Sequence, residues 1–235
     1  MATYYSPKIV TDGLVTYLDA NNIKCYPRAG ATVTDLTGTI GNFSGNASYI
    51  DASTGFVSGA SWTSGTTSIL NTDTHSIFFR IRFNSNGTYP NGTTGGWEKI
   101  FTYAPSGTDR SPGVWRYPSN RIIHWRYDAS NSGLDFTATA AGAYFAPGTE
   151  FSLNTWYYIG TTKNGGTATA YVNGVPLGSG AVTNPKTSGN AAIILFEGYT
   201  NPLCNIDQVS IYNRVISDAE VMQNFNAIKS RIGIS

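Results

Sequence analysis

Trp115–Arg116–Tyr117 and Trp125–Arg126–Tyr127 are the segments of this sequence best equipped for ligand chemistry, because the flat faces of sugar rings stack on aromatic side chains. The two runs flank Pro118–Ser119–Asn120–Arg121, which reads as the turn of a hairpin. Strand alternation places Trp115 with Tyr117, and Trp125 with Tyr127; whether all four share a face depends on a register that spacing leaves open. Tyr89, in the Asn-, Gly- and Thr-rich stretch 84–97, is a fifth candidate for carbohydrate. The competing assignment is the interior, since an all-β domain needs large inward side chains at such positions. Interior is the first assignment of these aromatics and a carbohydrate platform the second.

Catalytic groupings are missing from the sequence. There is no Gly-x-Ser-x-Gly elbow, no phosphate-cradling glycine loop ending in lysine, and no His-Glu-x-x-His. The two histidines, His75 and His124, stand apart, and each reads as a rim or packing residue rather than a base or ligand. No residue is assigned a catalytic role.

The elements that must position these side chains are short strands. A length of 235 residues suits one β-sandwich better than two small domains, and 26 glycines and 15 tyrosines with only 12% charged residues are the composition of many strands joined by tight turns. With 40% apolar residues the chain can bury a sizeable core. A net charge of +1 supplies no field of one sign, so neither nucleic acid nor an anionic membrane is an expected partner. Met1–Gly13 lacks the basic start and apolar stretch of a secretory signal, and no apolar run approaches a membrane span, so synthesis in a cytoplasm is expected. Cys25 and Cys204 form no dense or CxxC pattern and are expected to be reduced thiols.

Residues 1–12 read as an extended arm, with Pro7 discouraging helix. Strands follow at 14–18, 76–83, 98–103, 113–117, 121–127 and 134–139. In Ser76–Phe83 the alternation sets Phe79, Ile81 and Phe83 against Arg80 and Arg82, the pattern of a half-buried strand. Trp156–Thr162 and Thr167–Val172 are joined by Asn164–Gly165–Gly166, and Asn173–Gly174 turns the chain again, both supplying the positive-φ residues that tight hairpins require. Along Ile206–Tyr212 the pattern places Ile206, Gln208, Ser210 and Tyr212 on one face and Val209 and Ile211 on the other. A helix over about 218–230 opens on the capping box Ser217–Asp218–Ala219–Glu220 and carries Val221, Phe225 and Ile228 on one stripe.

Three segments in order, Gly13–Ala20, Trp156 with Ala170–Gly174, and Ile206–Arg214 with Ile216–Val221, resemble the laminin-G-like jelly-roll family of the concanavalin A-like lectin and glucanase superfamily, over residues 13–230. The resemblance implies an all-β, two-sheet antiparallel jelly-roll sandwich over 13–235 with one short C-terminal helix. Within that family, the arm-plus-domain design, the start Met1–Leu14 and the ending Asn224–Ile234 resemble structural proteins of tailed bacteriophages. That likeness implies a non-enzymatic virion component, a capsid decoration or tail- or fibre-associated protein made in the host cytoplasm. Its expected partners are capsid or tail subunits reached through residues 1–12, with a homo-oligomer such as a trimer as a further arrangement. The alternative is a lectin-like receptor-binding protein that reads a host glycan with loops 84–97 and 105–112 and the Trp115/Trp125 hairpin.

Glucanases of the same fold use an acidic cluster of the form Glu-x-Asp-x-x-Glu along one strand; here Glu98, Glu150, Glu197 and Glu220 stand far apart, so glycoside hydrolysis ranks last. Calcium at the sandwich rim is the one cofactor the family implies. Antiparallel pairing of the first and last long strands would bring Asp19 near Asp207, but two acids fall short of the six to eight oxygens calcium takes. Hydrogen bonding of these carboxylates to backbone amides is the first assignment, and the same geometry brings Cys25 towards Cys204.

Overall fold

The computed structural model describes residues 7–51, 54–86, 97–104, 111–117, 121–128, 130–143, 148–183, 189–197 and 204–229. In chain order the described strands are β1 (Leu14–Asp19), β2 (Thr32–Thr34), β3 (Asn42–Ser44), β4 (Ile50–Asp51), β5 (Gly55–Val57), β6 (Trp62–Thr67) and β7 (Thr74–Phe83). They continue as β8 (Glu98–Tyr103), β9 (Gly113–Arg116), β10 (Ile123–Arg126), β11 (Gly133–Phe136) and β12 (Ala141–Gly142). The last are β13 (Trp156–Asn164), β14 (Thr167–Val172), β15 (Val175–Ala181), β16 (Ala191–Leu195) and β17 (Cys204–Tyr212), and the chain closes with helix α1 (Asp218–Ile228).

Two antiparallel sheets result. One runs β15-β14-β13-β7-β17-β5-β4, with β1 also on β17; the other runs β12-β11-β10-β9-β8-β16-β6-β3-β2. The first and last long strands pair as jelly-roll closure requires, Tyr17 opposite Ser210 and Asp19 opposite Gln208. Asn173, at φ 51, and Gly174, at φ 84, form the two-residue turn between β14 and β15 that the Asn–Gly pair calls for.

Between the sheets lies one continuous apolar core containing Phe79, Ile81 and Phe83 of the first sheet and Phe101, Val114, Trp125 and Phe136 of the second. Phe79 stacks on Trp125 at 5.5 Å between ring centroids, tying the layers together. A second cluster covers the far side of the first sheet, where Val221 and Ile228 of α1, with Val10, pack on Phe78, Tyr158, Tyr171 and Tyr212. The strand at Thr74–Phe83 is therefore largely covered on both faces rather than half-buried, because α1 covers Phe78 on its outer side, and Arg80, against Trp156, is only 4% exposed.

Two further expectations are corrected by local geometry. A bulge between Ile206 and Gln208 breaks the alternation of β17, so Ile206 joins Val209 and Ile211 in the core while Tyr212 faces α1. On α1 it is Val221, Asn224 and Ile228 that are buried, with Phe225 partly so. The capping box forms as read: the Glu220 amide donates to Ser217 Oγ at 3.3 Å, and the Ser217 amide donates to Glu220 Oε2 at 2.7 Å.

Of the arm, residues 7–12 are described, and they carry neither helix nor strand. They are fastened to their own domain. The Val10 amide donates to Asn224 Oδ1 at 2.7 Å, Asn224 Nδ2 donates to the Tyr212 hydroxyl at 3.0 Å, and that hydroxyl donates to Val10 O at 3.0 Å, a closed ring of three bonds.

Candidate functional site

Register decides which aromatics face outward. Trp125 pairs with Val114 and with Leu134, all three in the core, whereas His124 pairs with Trp115 and with Asp135 on the opposite face of the sheet. Trp125 is fully buried, stacked on Phe79 and on Phe136, the latter at 6.2 Å. Tyr127 is also buried, its hydroxyl sharing a 2.8 Å bond with Thr161 Oγ1, and burial pushes that phenol's pKa up. Trp125 and Tyr127 therefore serve the core and offer no face to a ligand. Trp115 lies on the outer face but is only 5% exposed, and Tyr117 is half-buried. Tyr89, with most of the loops 84–97 and 105–112, lies outside the described residues.

The side chain that makes this outer face a site is one the strand pattern does not single out. Trp97, just ahead of β8, is 40% exposed and stands edge-on to two rings, 5.0 Å from Tyr117 and 4.4 Å from His124. Tyr117 and His124 are themselves stacked at 5.6 Å. Beneath them Asp135 is wholly buried; its Oδ1 accepts from Arg126 Nη2 at 2.5 Å and lies 2.8 Å from His124 Nδ1. Burial lowers the His124 pKa more than the neighbouring carboxylate raises it, so the ring is neutral and packs as an aromatic. Arg126 Nη1 further donates to Leu134 O at 3.1 Å, which fixes the plane of the guanidinium.

Beside this cluster a trough of about 510 Å³ runs over β8 and β16, lined by Lys99, Thr102, Ala104, Ala192, Ile194 and Glu197. Lys99 pairs in register with Trp115, so the trough and the aromatic cluster are adjacent on one sheet face. Across the trough Lys99 Nζ and Glu197 Oε2 stand 3.4 Å apart, both partly exposed. The arrangement joins a stackable indole to a polar channel with a donor and an acceptor, the composition of a small-ligand site.

Of the interior acids, Glu98, Asp135 and Asp207 face cations, while Asp35 accepts from the Tyr17 amide at 2.9 Å and from Thr37 Oγ1 at 2.7 Å. Glu98 faces Arg116 at 3.3 Å inside the core and accepts from Cys204 Sγ at 3.3 Å; burial holds the pKa of both the Glu98 carboxyl and the Cys204 thiol up. Asp207 pairs with Arg80 at 3.1 Å. Asp19 and Asp207 are brought together as the closing strands imply: Asn21 donates its backbone amide to Asp19 Oδ1 at 3.0 Å and its side-chain amide to Asp207 Oδ2 at 3.1 Å. Calcium would have to displace the Arg80 guanidinium, and among the described residues no group of three or more His, Cys, Asp or Glu is placed to hold a metal ion. Cys25 and Cys204 are both buried and free, with Cys25 Sγ accepting the Asp19 amide at 3.2 Å.

Residues 56–222 match a laminin-G family model described as the concanavalin A-like lectin/glucanases superfamily. Among solved structures, the sialidase of Trypanosoma rangeli aligns with a TM-score of 0.61 at 16% identity, covering 97% of this chain and 34% of that one. The botulinum neurotoxin serotype D binding domain aligns at 0.61 and 14% identity, covering 91% of this chain and 51% of that one. The binding domain of Paraclostridial Mosquitocidal Protein 1 gives 0.58 at 18% identity, over 92% of this chain and 52% of that one. The chain thus spans about a third of the sialidase and about half of the toxin structures, and at these identities the likeness is one of fold. Comparison with curated protein sequences finds no match.

Proposed function

This chain belongs to the laminin-G-like family of the concanavalin A-like lectin/glucanase superfamily, and from that premise we propose that it is a non-enzymatic binding component of a tailed-bacteriophage particle, made in the host cytoplasm. The observation that supports the non-enzymatic part is the use of the buried carboxylates: Glu98, Asp135 and Asp207 each face a guanidinium, and Asp19 and Asp35 accept from the Asn21 amide and from the Tyr17 amide and Thr37 hydroxyl. The particle part rests on the likeness of the chain's start and ending to tailed-phage structural proteins. Lys8, Val10 and Asp12 are bonded to α1, to Tyr212 of β17 and to Arg214, and we assign contact with a capsid or tail partner to the N-terminal arm.

A second reading is recognition of a host glycan on the outer face of the nine-stranded sheet. Its support is Trp97, a large aromatic ring left exposed over Tyr117 and His124 beside the Lys99–Glu197 trough. Two experiments decide. Purified particles examined by mass spectrometry and electron microscopy are expected to contain the chain in defined density; its absence from particles overturns the particle assignment. A glycan array with wild type and Trp97→Ala tests the second reading: glycan binding that is lost in the variant supports it, and binding unchanged by the substitution refutes it. Release of reducing sugar from any array ligand would overturn the non-enzymatic reading.

A further inference from the structure

The outer face of the other sheet carries a cationic site that the function above does not use. Arg80 and Arg82 of β7 point away from the core, opposite Phe79, Ile81 and Phe83, beyond the end of the sheet that α1 covers. Trp156 of β13 pairs in register with Arg82, and its ring lies 4.8 Å from the Arg80 guanidinium carbon and 5.2 Å from that of Arg82. One indole thus lies against two guanidinium groups.

The two arginines differ in what answers their charge. Arg80 has Asp207 at 3.1 Å. Among the described residues Arg82 meets no acid: its Nε donates to Asn84 Oδ1 at 3.2 Å, and its two Nη groups make no hydrogen bond or ion pair there. The Arg82 side chain is half-buried, where water screens its charge less than at an open surface. Arg82 is also held still. The indole packs against its guanidinium, and Asn84 is itself tied to Asn205, which donates to Thr54 O at 3.0 Å. With Nε occupied, the edge left over is Nη1/Nη2, one of the two edges of a guanidinium that match a carboxylate in parallel bonds.

We propose that Arg82 and Trp156 form a binding site for a carboxylate-bearing sugar. The Nη edge takes the carboxylate, and the half-buried indole beside it packs against the ring from which that carboxylate hangs. Fixing the guanidinium beforehand removes much of the entropy cost of forming the two bonds.

The test uses the full chain and a glucuronate-containing disaccharide, titrated calorimetrically beside the neutral disaccharide with glucose in its place. The acidic sugar is expected to bind at least about tenfold tighter than the neutral one, and more weakly as salt is raised. Arg82→Gln is expected to abolish that preference, and Arg82→Lys to restore it only in part. A melting temperature for Arg82→Gln close to that of wild type shows that the loss is local. Equal affinity for the two sugars, unaltered binding by Arg82→Gln, or equally tight binding of an oligoglutamate peptide would overturn the proposal.

Discussion

His75 makes the stability of this domain depend on acid in a calculable way. It sits 2% exposed at the start of β7, 5.9 Å from the Tyr127 ring. Burial is the largest influence on its pKa, Lys163 on the neighbouring strand adds to it, and together they lower the value from 6.5 to about 4, with the Thr72 backbone offsetting part. The unfolded chain therefore binds a proton near pH 6.5 that the folded chain refuses until about pH 4. Between those values the unfolded state holds more protons, so stability rises with pH; the contribution is complete above the unfolded value and lost on acidification. Each pH unit across the window is worth about 1.4 kcal/mol, so the full loss is about 3 kcal/mol. With a urea slope of about 3 kcal/mol/M for a chain of this size, the midpoint falls by about 1 M. Burial shifts other groups too, His124 in the same direction and Glu98 in the opposite one. The measurement is therefore a pair of urea titration series between pH 4 and 7.5, on wild type and His75→Gln. Their difference should shrink by about 3 kcal/mol on acidification, since only wild type loses the term. Parallel curves would show that His75 is protonated in the folded domain and that its burial has been misread.

Three further outcomes follow from the packing. Trp125→Ala removes a fully buried indole from between Phe79 and Phe136 and should cost about 3–5 kcal/mol in denaturant unfolding, while Trp97→Ala should leave the midpoint near wild type. Ser217→Ala breaks the capping box of α1 and should cost about 1 kcal/mol, or a few degrees in melting temperature. Asn224→Ala strips the Val10 amide of its acceptor and should cost about 1–3 kcal/mol, with hydrogen exchange at Val10 accelerated while β13 stays protected.

Local grammar was legible wherever one stretch of chain determines its own conformation. The strand at Glu98–Tyr103, the hairpin through Asn164–Gly165–Gly166 and the capping box at Ser217 all rest on neighbours in sequence, and each appears at the positions read for it. The face of Ile206 was not legible, because the bulge is defined by the register of β17 against β7, more than a hundred residues away. The aromatic pairs show the same limit. Alternation put Trp125 with Tyr127 correctly, but only the pairing of Trp125 with Val114, and of His124 with Trp115, reveals that the first pair faces inward. Trp97 carried a weak signal, a bulky aromatic ahead of a strand; what makes it a site residue is the approach of Tyr117 and His124 from later strands.

The two outer faces share a construction that bears on why the chain keeps so many charges in dry surroundings. Under Trp97 lies the Arg126–Asp135 pair, with His124 between; beside Trp156 lies the Arg80–Asp207 pair, with Arg82 next to it. Buried ion pairs of this kind add little net stability, because desolvation offsets most of the Coulomb attraction, and apolar side chains of similar volume would fold as well. What apolar side chains would not do is orient a ring. Asp135 accepts from a guanidinium fixed to Leu134 O and stands against His124 Nδ1, so the imidazole on which Trp97 rests has one orientation. Asp207 pairs with Arg80, and the second guanidinium beside the same indole meets no counter-charge among the described residues. On each face the pair is neutral, while the group it positions remains open to a ligand: an indole edge in one case, a guanidinium edge in the other. This is the distribution of charge expected of a rigid body that binds, since the polar groups are engaged before any ligand arrives and binding need not reorganise them.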